Sequence, residues 1–298
     1  MIEGIMMRGI DKIAMSTRMP DGSIDTESWS AGSLNQAWYH KTPIIRGVVN
    51  FITSMITGYK CLMKSADKAG FADEEVSEPS KFDLWIEKHL GDNLVKVIGV
   101  IAAVLGVALA LGLFMFLPAL AVTGLNMLIP IEGFRSLLEG LVKIVIFIIY
   151  LALVSRMKDI KRVFEYHGAE HKSIACYEAG EELTVENVKK HTRFHPRCGT
   201  SFIMIVLVIG IIVFSVVTWS DVLVRTLLKL ALLPVVMGLA YELITLAGRY
   251  DNPVTRVISA PGMWLQRLTT REPDDSQIEV AIAALTEVIP ENKEEDQW

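Results

Sequence analysis

Residues 97–122 read VIGVIAAVLGVALALGLFMFLPALAV, within a stretch of 35 residues between Lys96 and Glu132 that carries no charge. A bilayer core about 30 Å thick takes roughly 20 apolar helical residues to cross, so this run crosses with residues to spare. A second uncharged stretch, of 23 residues, lies between Arg197 and Asp221. Working outward from these two, hydropathy predicts transmembrane helices at about 95–119, 137–155, 201–219 and 226–247. The second opens on Glu139 and Lys143, and the fourth contains Lys229, Pro234 and Glu242. The expected fold is an α-helical integral membrane protein with about four transmembrane helices and a small α+β cytoplasmic part.

The rest of the composition agrees. Of 298 residues 51% are hydrophobic and only 21% charged, and the mean hydropathy is +0.39, which excludes an ordinary soluble globular protein. A net charge of −5 excludes the basic stripe that nucleic-acid binding needs. Three cysteines, Cys61, Cys176 and Cys198, form no disulfide framework. Met1-Ile2-Glu3-Gly4 has a charge where a secretory signal would become apolar.

The chain divides into an N-terminal region 1–93, a first helix pair 94–155, a motif-bearing loop 156–199, a second helix pair 200–248 and a tail 249–298. Lys and Arg number ten in 1–93, nine in 156–199 and five in 248–298. The connections 120–136 and 220–225 hold only Arg135 and Arg225. Positive residues stay inside, so the N-terminal region, the middle loop and the tail are expected in the cytoplasm, with both termini there. Reduced cysteines suit that compartment.

Residues 12–29 alternate around Met19-Pro20-Asp21-Gly22, a turn in which proline presets φ and glycine accepts a positive φ; a β-hairpin is expected. Thr42-Pro43 looks like a cap and first helical residue, opening an amphipathic helix with apolar residues at 44, 45, 48, 49, 52, 55, 56, 59, 62 and 63. Its stripe either packs on the hairpin or lies in the inner membrane interface. Residues 65–80 read as a linker, and Phe82, Trp85, Ile86 and Lys88 as a juxtamembrane segment. Arg256 to Leu268 is a second interfacial candidate. Ser276 to Glu279 reads as a capping box opening a helix at 277–289, with 291–298 disordered. Gly99, Ala102, Ala103 and Gly106 form a small-residue face suited to helix packing, in a homo-oligomer or within the chain.

Chemistry concentrates between the second and third apolar segments. Tyr166-His167-Gly168-Ala169-Glu170-His171 contains H-x-x-E-H, and on a helix His167 and His171 share a face with Glu170 beside them. Two imidazoles and a carboxylate so placed can hold zinc or another divalent metal and activate water. Gly168 weakens such a helix by about 1 kcal/mol relative to alanine. His195-Pro196-Arg197-Cys198 follows, and four of the six histidines fall within 167–195. Two other readings of these residues stay open: a hydrogen-bonded structural or partner-binding cluster, and a basic collar with Lys189, Lys190, Arg193 and Arg197 against anionic headgroups. Glu242 is a carboxylate inside an apolar span, which points to function, either as a third ligand or as the partner of Arg156 or Lys158. Lys143 and Lys229 are expected to snorkel at outer ends.

Four motifs in order resemble one family. Ile2-Glu3-Gly4-Ile5-Met6-Met7-Arg8-Gly9, Tyr166-His167-Gly168-Ala169-Glu170-His171-Lys172, His195-Pro196-Arg197-Cys198-Gly199-Thr200-Ser201-Phe202 and Gln266-Arg267-Leu268-Thr269-Thr270-Arg271-Glu272-Pro273 are similar to the motifs of the YqhQ-like family of bacterial inner-membrane proteins, whose function is unknown. The resemblance runs from residue 2 to about 287. It implies the bacterial inner membrane, the lipid bilayer as partner, and the family's frequent label of metal-dependent enzyme. Relatives carry a few glycine-rich residues ahead of Ile2-Glu3-Gly4, so a short first strand is expected. Two functions follow. In a metal-dependent hydrolase, His167 and His171 are ligands, Glu170 the general base, and His195, Cys198 or Glu242 the third ligand, with Arg197 or Arg271 stabilising an oxyanion. In a non-enzymatic scaffold or assembly factor, the chain docks on a larger membrane complex, for example one for translocation or membrane-protein quality control. The sequence alone leaves enzyme and scaffold both open.

Overall fold

Alternation of apolar and polar residues near the N-terminus builds an antiparallel sheet of order β1-β2-β3, formed by β1 (Gly4–Arg8), β2 (Lys12–Arg18) and β3 (Ile24–Ser30). The β2–β3 hairpin is the expected one, and Gly22 in its turn has φ 86°, which glycine adopts without strain. Strand β1 adds to it, with Gly4 opposite Thr17 and Arg8 opposite Ile13. The computed structural model describes residues 1–31, 38–70, 94–131, 134–196, 198–216, 221–250 and 252–290. The juxtamembrane segment at 82–88, most of the linker, Arg197 and the tail at 291–298 lie outside the described residues.

After a short α1 (Trp38–Lys41) comes α2 (Ile45–Lys68). The first long apolar helix runs as α3 (Leu94–Leu111), a π-helical turn at Gly112–Phe116, and α4 (Leu117–Leu128). It continues past the expected end near 119, because the π turn re-spaces the hydrogen-bond ladder just before Pro118, which has no N–H to give. Then follow α5 (Arg135–Val154), α6 (Lys158–Glu178), α7 (Val185–Lys190), α8 (Gly199–Ser215), α9 (Val222–Arg249), α10 (Pro253–Thr269) and α11 (Asp275–Val288). Gly99–Leu128, Arg135–Val154 and Leu223–Arg249 are each long and apolar enough to cross a membrane, and Gly199–Ser215 is a shorter apolar helix. On α3, Val100, Ile101, Val104, Leu105, Val107 and Leu109 are 54–63% exposed. Gly99, Ala102, Ala103 and Gly106 also face outward.

The polar segments assemble into one unit. Helices α6, α7 and α11 and strands β1 and β2 share a core that includes Ile5, Met7, Ala14, Tyr166, Ala169, Cys176, Val188, Ile278, Ala281 and Leu285. Three stretches separated by apolar helices thus bury each other's hydrophobic faces.

Several local readings need correction. Helix α2 starts at Ile45, and Thr42 instead bonds the Trp38 carbonyl at the end of α1 (3.0 Å). Its C-terminal Lys64 and Lys68 reach Glu27 and Asp25 of β3. Most of its apolar stripe does not pack on the hairpin: Ile52, Met55, Ile56, Tyr59 and Met63 are exposed. Its polar face turns inward instead, with Asn50 donating to the Tyr241 hydroxyl (2.8 Å) and Arg46 bonding Glu242. The cap of α11 is Asp274, whose carboxylate accepts from Gln277 N while Gln277 accepts from Asp274 N, each at 2.9 Å. Glu279, expected in that role, pairs with Arg18 (2.7 Å). Lys229 does not snorkel; it is buried against Glu139.

Candidate metal centre

Helix α6 carries the H-x-x-E-H motif, and contacts at each step hold it in place. One turn before the motif, Glu3 of the N-terminal segment takes an ion pair from Arg162 and a hydrogen bond from the buried Tyr166 hydroxyl (3.0 Å). At Gly168 the chain 269–273 crosses so closely that a Cβ would sit 1.9 Å from the Arg271 carbonyl oxygen. The glycine that looked like a helix weakness is therefore required by this crossing. Arg271 N donates to the Phe164 carbonyl (2.8 Å). Glu272 is held by Lys172 (2.9 Å) and Arg193 (3.3 Å).

This crossing orients the imidazoles. His167 Nδ1 lies 2.8 Å from the Thr269 carbonyl oxygen, and His171 Nδ1 lies 2.7 Å from that of Arg193. A carbonyl oxygen only accepts, so each Nδ1 carries the donated proton. The Nε2 atoms are left for other partners. His167 Nε2 is 3.2 Å from Cys198 Sγ, and the two imidazole rings are 4.4 Å apart. One ligand atom each from His167, His171 and Cys198 lies within 4.8 Å of the others. His171 is 3% and Cys198 7% exposed.

Cys198 caps α8, and its sulfur accepts from Thr200 N (3.4 Å). Burial pushes its thiol up, but hydrogen bonds from His167 and His171 and their charges more than reverse this, bringing it down to about 4. Burial pushes His167 down, and the Cys198 hydrogen bond and charge, Glu170 and the Thr269 carbonyl lift it to about 9. Without metal the pair is a thiolate and an imidazolium. A thiolate with two imidazoles whose far nitrogens are held by carbonyls could hold a zinc ion, whose sites use such donors and such outer-shell partners.

Not every candidate residue joins this group. Glu170 is half-buried on the same helix, and its charge is felt at His167. His195 lies alongside, with its ring 5.7 Å from that of His171. Its Nε2 faces Glu178 (3.4 Å), and its backbone is clamped by Gln266 (2.8 and 2.6 Å). Glu242 is not brought to the centre: Arg46 holds it through both oxygens (Nε–Oε1 2.7 Å), and Ile44 N adds a third bond (3.2 Å). Neither Arg156 nor Lys158 is its partner there. Arg197 lies outside the described residues. Arg271 meets the centre through its backbone, as the oxygen over Gly168.

Sequence reading missed the two carbonyl acceptors, since backbone groups leave no side-chain signal. It also missed a second cluster, Cys176, Glu181 and His191, whose ligand atoms lie within 4.8 Å of one another. There His191 Nε2 is 3.3 Å from Glu181.

With this geometry in place, comparison with known proteins gives one family. Residues 42–291 match the family described as "Protein of unknown function (DUF1385)". The chain belongs to this family. It is also similar to the uncharacterized protein YqhQ of Bacillus subtilis (strain 168), with 33% identity over 295 residues, covering 97% of this chain and 90% of the relative. No solved structure matches the chain. Three of the four motifs recognised in the sequence, all but the one at residues 2–9, fall within the matched residues 42–291, and these three meet at the centre or beside it.

Proposed function

We propose that this family member is a membrane-embedded metal-dependent hydrolase whose divalent ion, zinc by its donors, is held by His167, His171 and Cys198 on the cytoplasmic face. The observation that carries the reading is the pair of Nδ1–carbonyl bonds, which leave two Nε2 atoms from α6 and one thiolate from the start of α8 converging. Such an ion supplies Lewis acidity and lowers the pKa of water toward neutrality. Three protein ligands are the number that catalytic zinc sites use, so substrate or water could complete the ion's coordination. The Thr269 and Arg193 carbonyls fix the imidazole planes. Glu170, one residue before His171 and only half-buried, would serve as the general base toward water at the ion. The substrate class that suits this position is a group presented by the membrane, on a lipid or on a membrane-protein segment.

The shared core of residues 1–31, 158–190 and 275–288 supports four crossings with both termini in the cytoplasm. Segments that pack together lie on one side, so an even number of crossings separates each from the next. Helices α3–α4 and α5 supply two, and α8 and α9 the other two. At 17 residues, α8 spans about 25 Å at 1.5 Å per residue. The exposed stripe of α2 then lies in the inner interface with its polar face on α9.

A second reading has its own support. The burial of His171 and Cys198 also suits a structural ion in a non-enzymatic scaffold that docks on a larger membrane complex. Glu170→Gln separates the two. In a hydrolase the variant keeps metal and fold but loses about 10²–10⁴-fold in rate, and fails to complement a deletion strain at normal protein level. Full complementation would end the hydrolase reading and leave the scaffold.

A further inference from the structure

The turn between α6 and α7 gathers a second set of metal donors, on residues that the centre at Cys198 does not use. Just after α6, Gly180 turns the chain with φ 72°, and Glu181 donates its backbone N–H to the Cys176 carbonyl (3.2 Å). This fold-back brings Glu181 beside Cys176. Helix α7 then ends on His191, whose N–H donates to the Val188 carbonyl (3.2 Å). One ligand atom each from Cys176, Glu181 and His191 lies within 4.8 Å of the others. Metal–ligand bonds of about 2.0–2.3 Å put two ligands of one tetrahedral zinc about 3.3–3.6 Å apart, so a small side-chain movement closes the set.

An ion pair between His191 and Glu181 does not account for the group. His191 Nε2 lies 3.3 Å from the Glu181 carboxylate, yet this nitrogen is buried and makes no hydrogen bond among the described residues. Buried polar atoms are nearly always bonded, and one that is not calls for an explanation such as an ion. The wholly buried Cys176 thiol makes a long contact to the Glu182 carbonyl (3.6 Å). A thiolate, an imidazole and a carboxylate together suit zinc, whereas magnesium and calcium take oxygen ligands. His171 and Cys176 are five residues apart on α6, about 7.5 Å along its axis and about 140° around it. The two donor sets therefore hold separate ions, since a two-metal pair needs about 3.5–4 Å.

We propose that Cys176, Glu181 and His191 form a second, exchangeable site for a zinc-class divalent ion, which braces the turn between α6 and α7. The side chains of Glu181 and His191 are 45% and 19% exposed, which gives an ion access from solvent. With one imidazole and an exposed carboxylate, the site holds its ion less tightly than the two-imidazole centre and fills after it. It does not rest on the hydrolase reading.

The test strips the full-length protein of metal in neutral detergent and titrates it with Co²⁺, whose thiolate complexes absorb strongly, and with Zn²⁺ against a chelating dye. Wild type is expected to take up a second ion per chain in a weaker phase, with a thiolate–cobalt absorption of its own. His191→Gln and Glu181→Gln alter partly exposed side chains, so the fold is kept. Each should weaken the second phase by at least about tenfold, since a direct ligand is worth no less than an outer-shell partner, and leave the first phase in place. Cys176→Ala should remove the second thiolate absorption. His167→Ala should remove the first phase and leave the second, so failure of one site is distinguishable from failure of the other. A wild type that binds no ion beyond the first, or a second ion indifferent to both His191→Gln and Cys176→Ala, overturns the proposal.

Discussion

Replacing Gly168 by alanine tests whether the crossing of 269–273 over α6 builds the centre. On propensity alone the change favours the helix by about 1 kcal/mol. The new Cβ, however, meets the Arg271 carbonyl oxygen at 1.9 Å, with Arg271 C at 3.1 Å and Pro273 Cδ at 3.5 Å. Ordinary contact begins near 3.4 Å, so that carbonyl must retreat by about 1.5 Å. Overpacking of this kind costs about 1–3 kcal/mol. The retreat also breaks the Arg271 N–Phe164 O bond, worth about 1 kcal/mol, and draws the Thr269 carbonyl from His167. The net loss is about 1–3 kcal/mol, a fall of roughly 3–10 °C in Tm. Loss of an outer-shell partner lowers metal affinity by about 10–100-fold. Gly58→Ala is the control: it lies in α2 with nothing within 4 Å of the added carbon. Thermal unfolding and zinc titration of both variants in the same detergent provide the readings. A Gly168→Ala protein as stable and as zinc-avid as Gly58→Ala would refute the reasoning.

Proton release on metal binding follows from the two titrating ligands. His167, raised from 6.5 to about 9, is protonated at pH 7, whereas Cys198, lowered from 9.0 to about 4, is already ionised. Calorimetry in buffers of different ionisation enthalpy should therefore find one proton released per ion at pH 7, with affinity rising with pH until about 9; release of the thiol proton as well would contradict this. In the metal-free protein, the stabilisation from His167 is full below about 6.5 and lost as pH rises through 9. That from Cys198 is full above about 9 and lost as pH falls through 4, so the pair holds together between the two, as the pH dependence of Tm should show. For topology, a cysteine at 128 should be labelled from outside by an impermeant reagent and one at 185 should not; the reverse would overturn the orientation.

How much was legible depended on whether a feature repeats along the chain. The apolar helices and the β2–β3 hairpin follow from periodicity and turn chemistry, and both were readable. Strand β1 pairs locally with β2, whereas the shared core of sheet, α6 and α11 joins segments more than a hundred residues apart, which no local pattern encodes. The spacing of His167 and His171 predicted their common face. Cys198 joined them only through the fold, and His195, three residues earlier, turned to Glu178 instead. Gly168 looked like a defect because its reason, the Arg271 carbonyl, lies far along the chain. The polar residues opposite the apolar stripe of α2 include Arg46 and Asn50, and both find partners inside, on α9, which the stripe alone did not foretell. Lys229 and Glu242 misled for the same reason: their partners, Glu139 and Arg46, come from other helices.

Metal content of the full-length protein, purified without chelator, tests the central claim most directly. Wild type is expected to carry close to one zinc or other divalent ion per chain. X-ray absorption should give one sulfur at about 2.3 Å and nitrogens at about 2.0–2.1 Å. His167→Ala and Cys198→Ser should lose the ion, while His195→Ala and Glu242→Gln keep it. A folded wild type that binds no metal, or that keeps it after both His167→Ala and Cys198→Ser, would contradict the account.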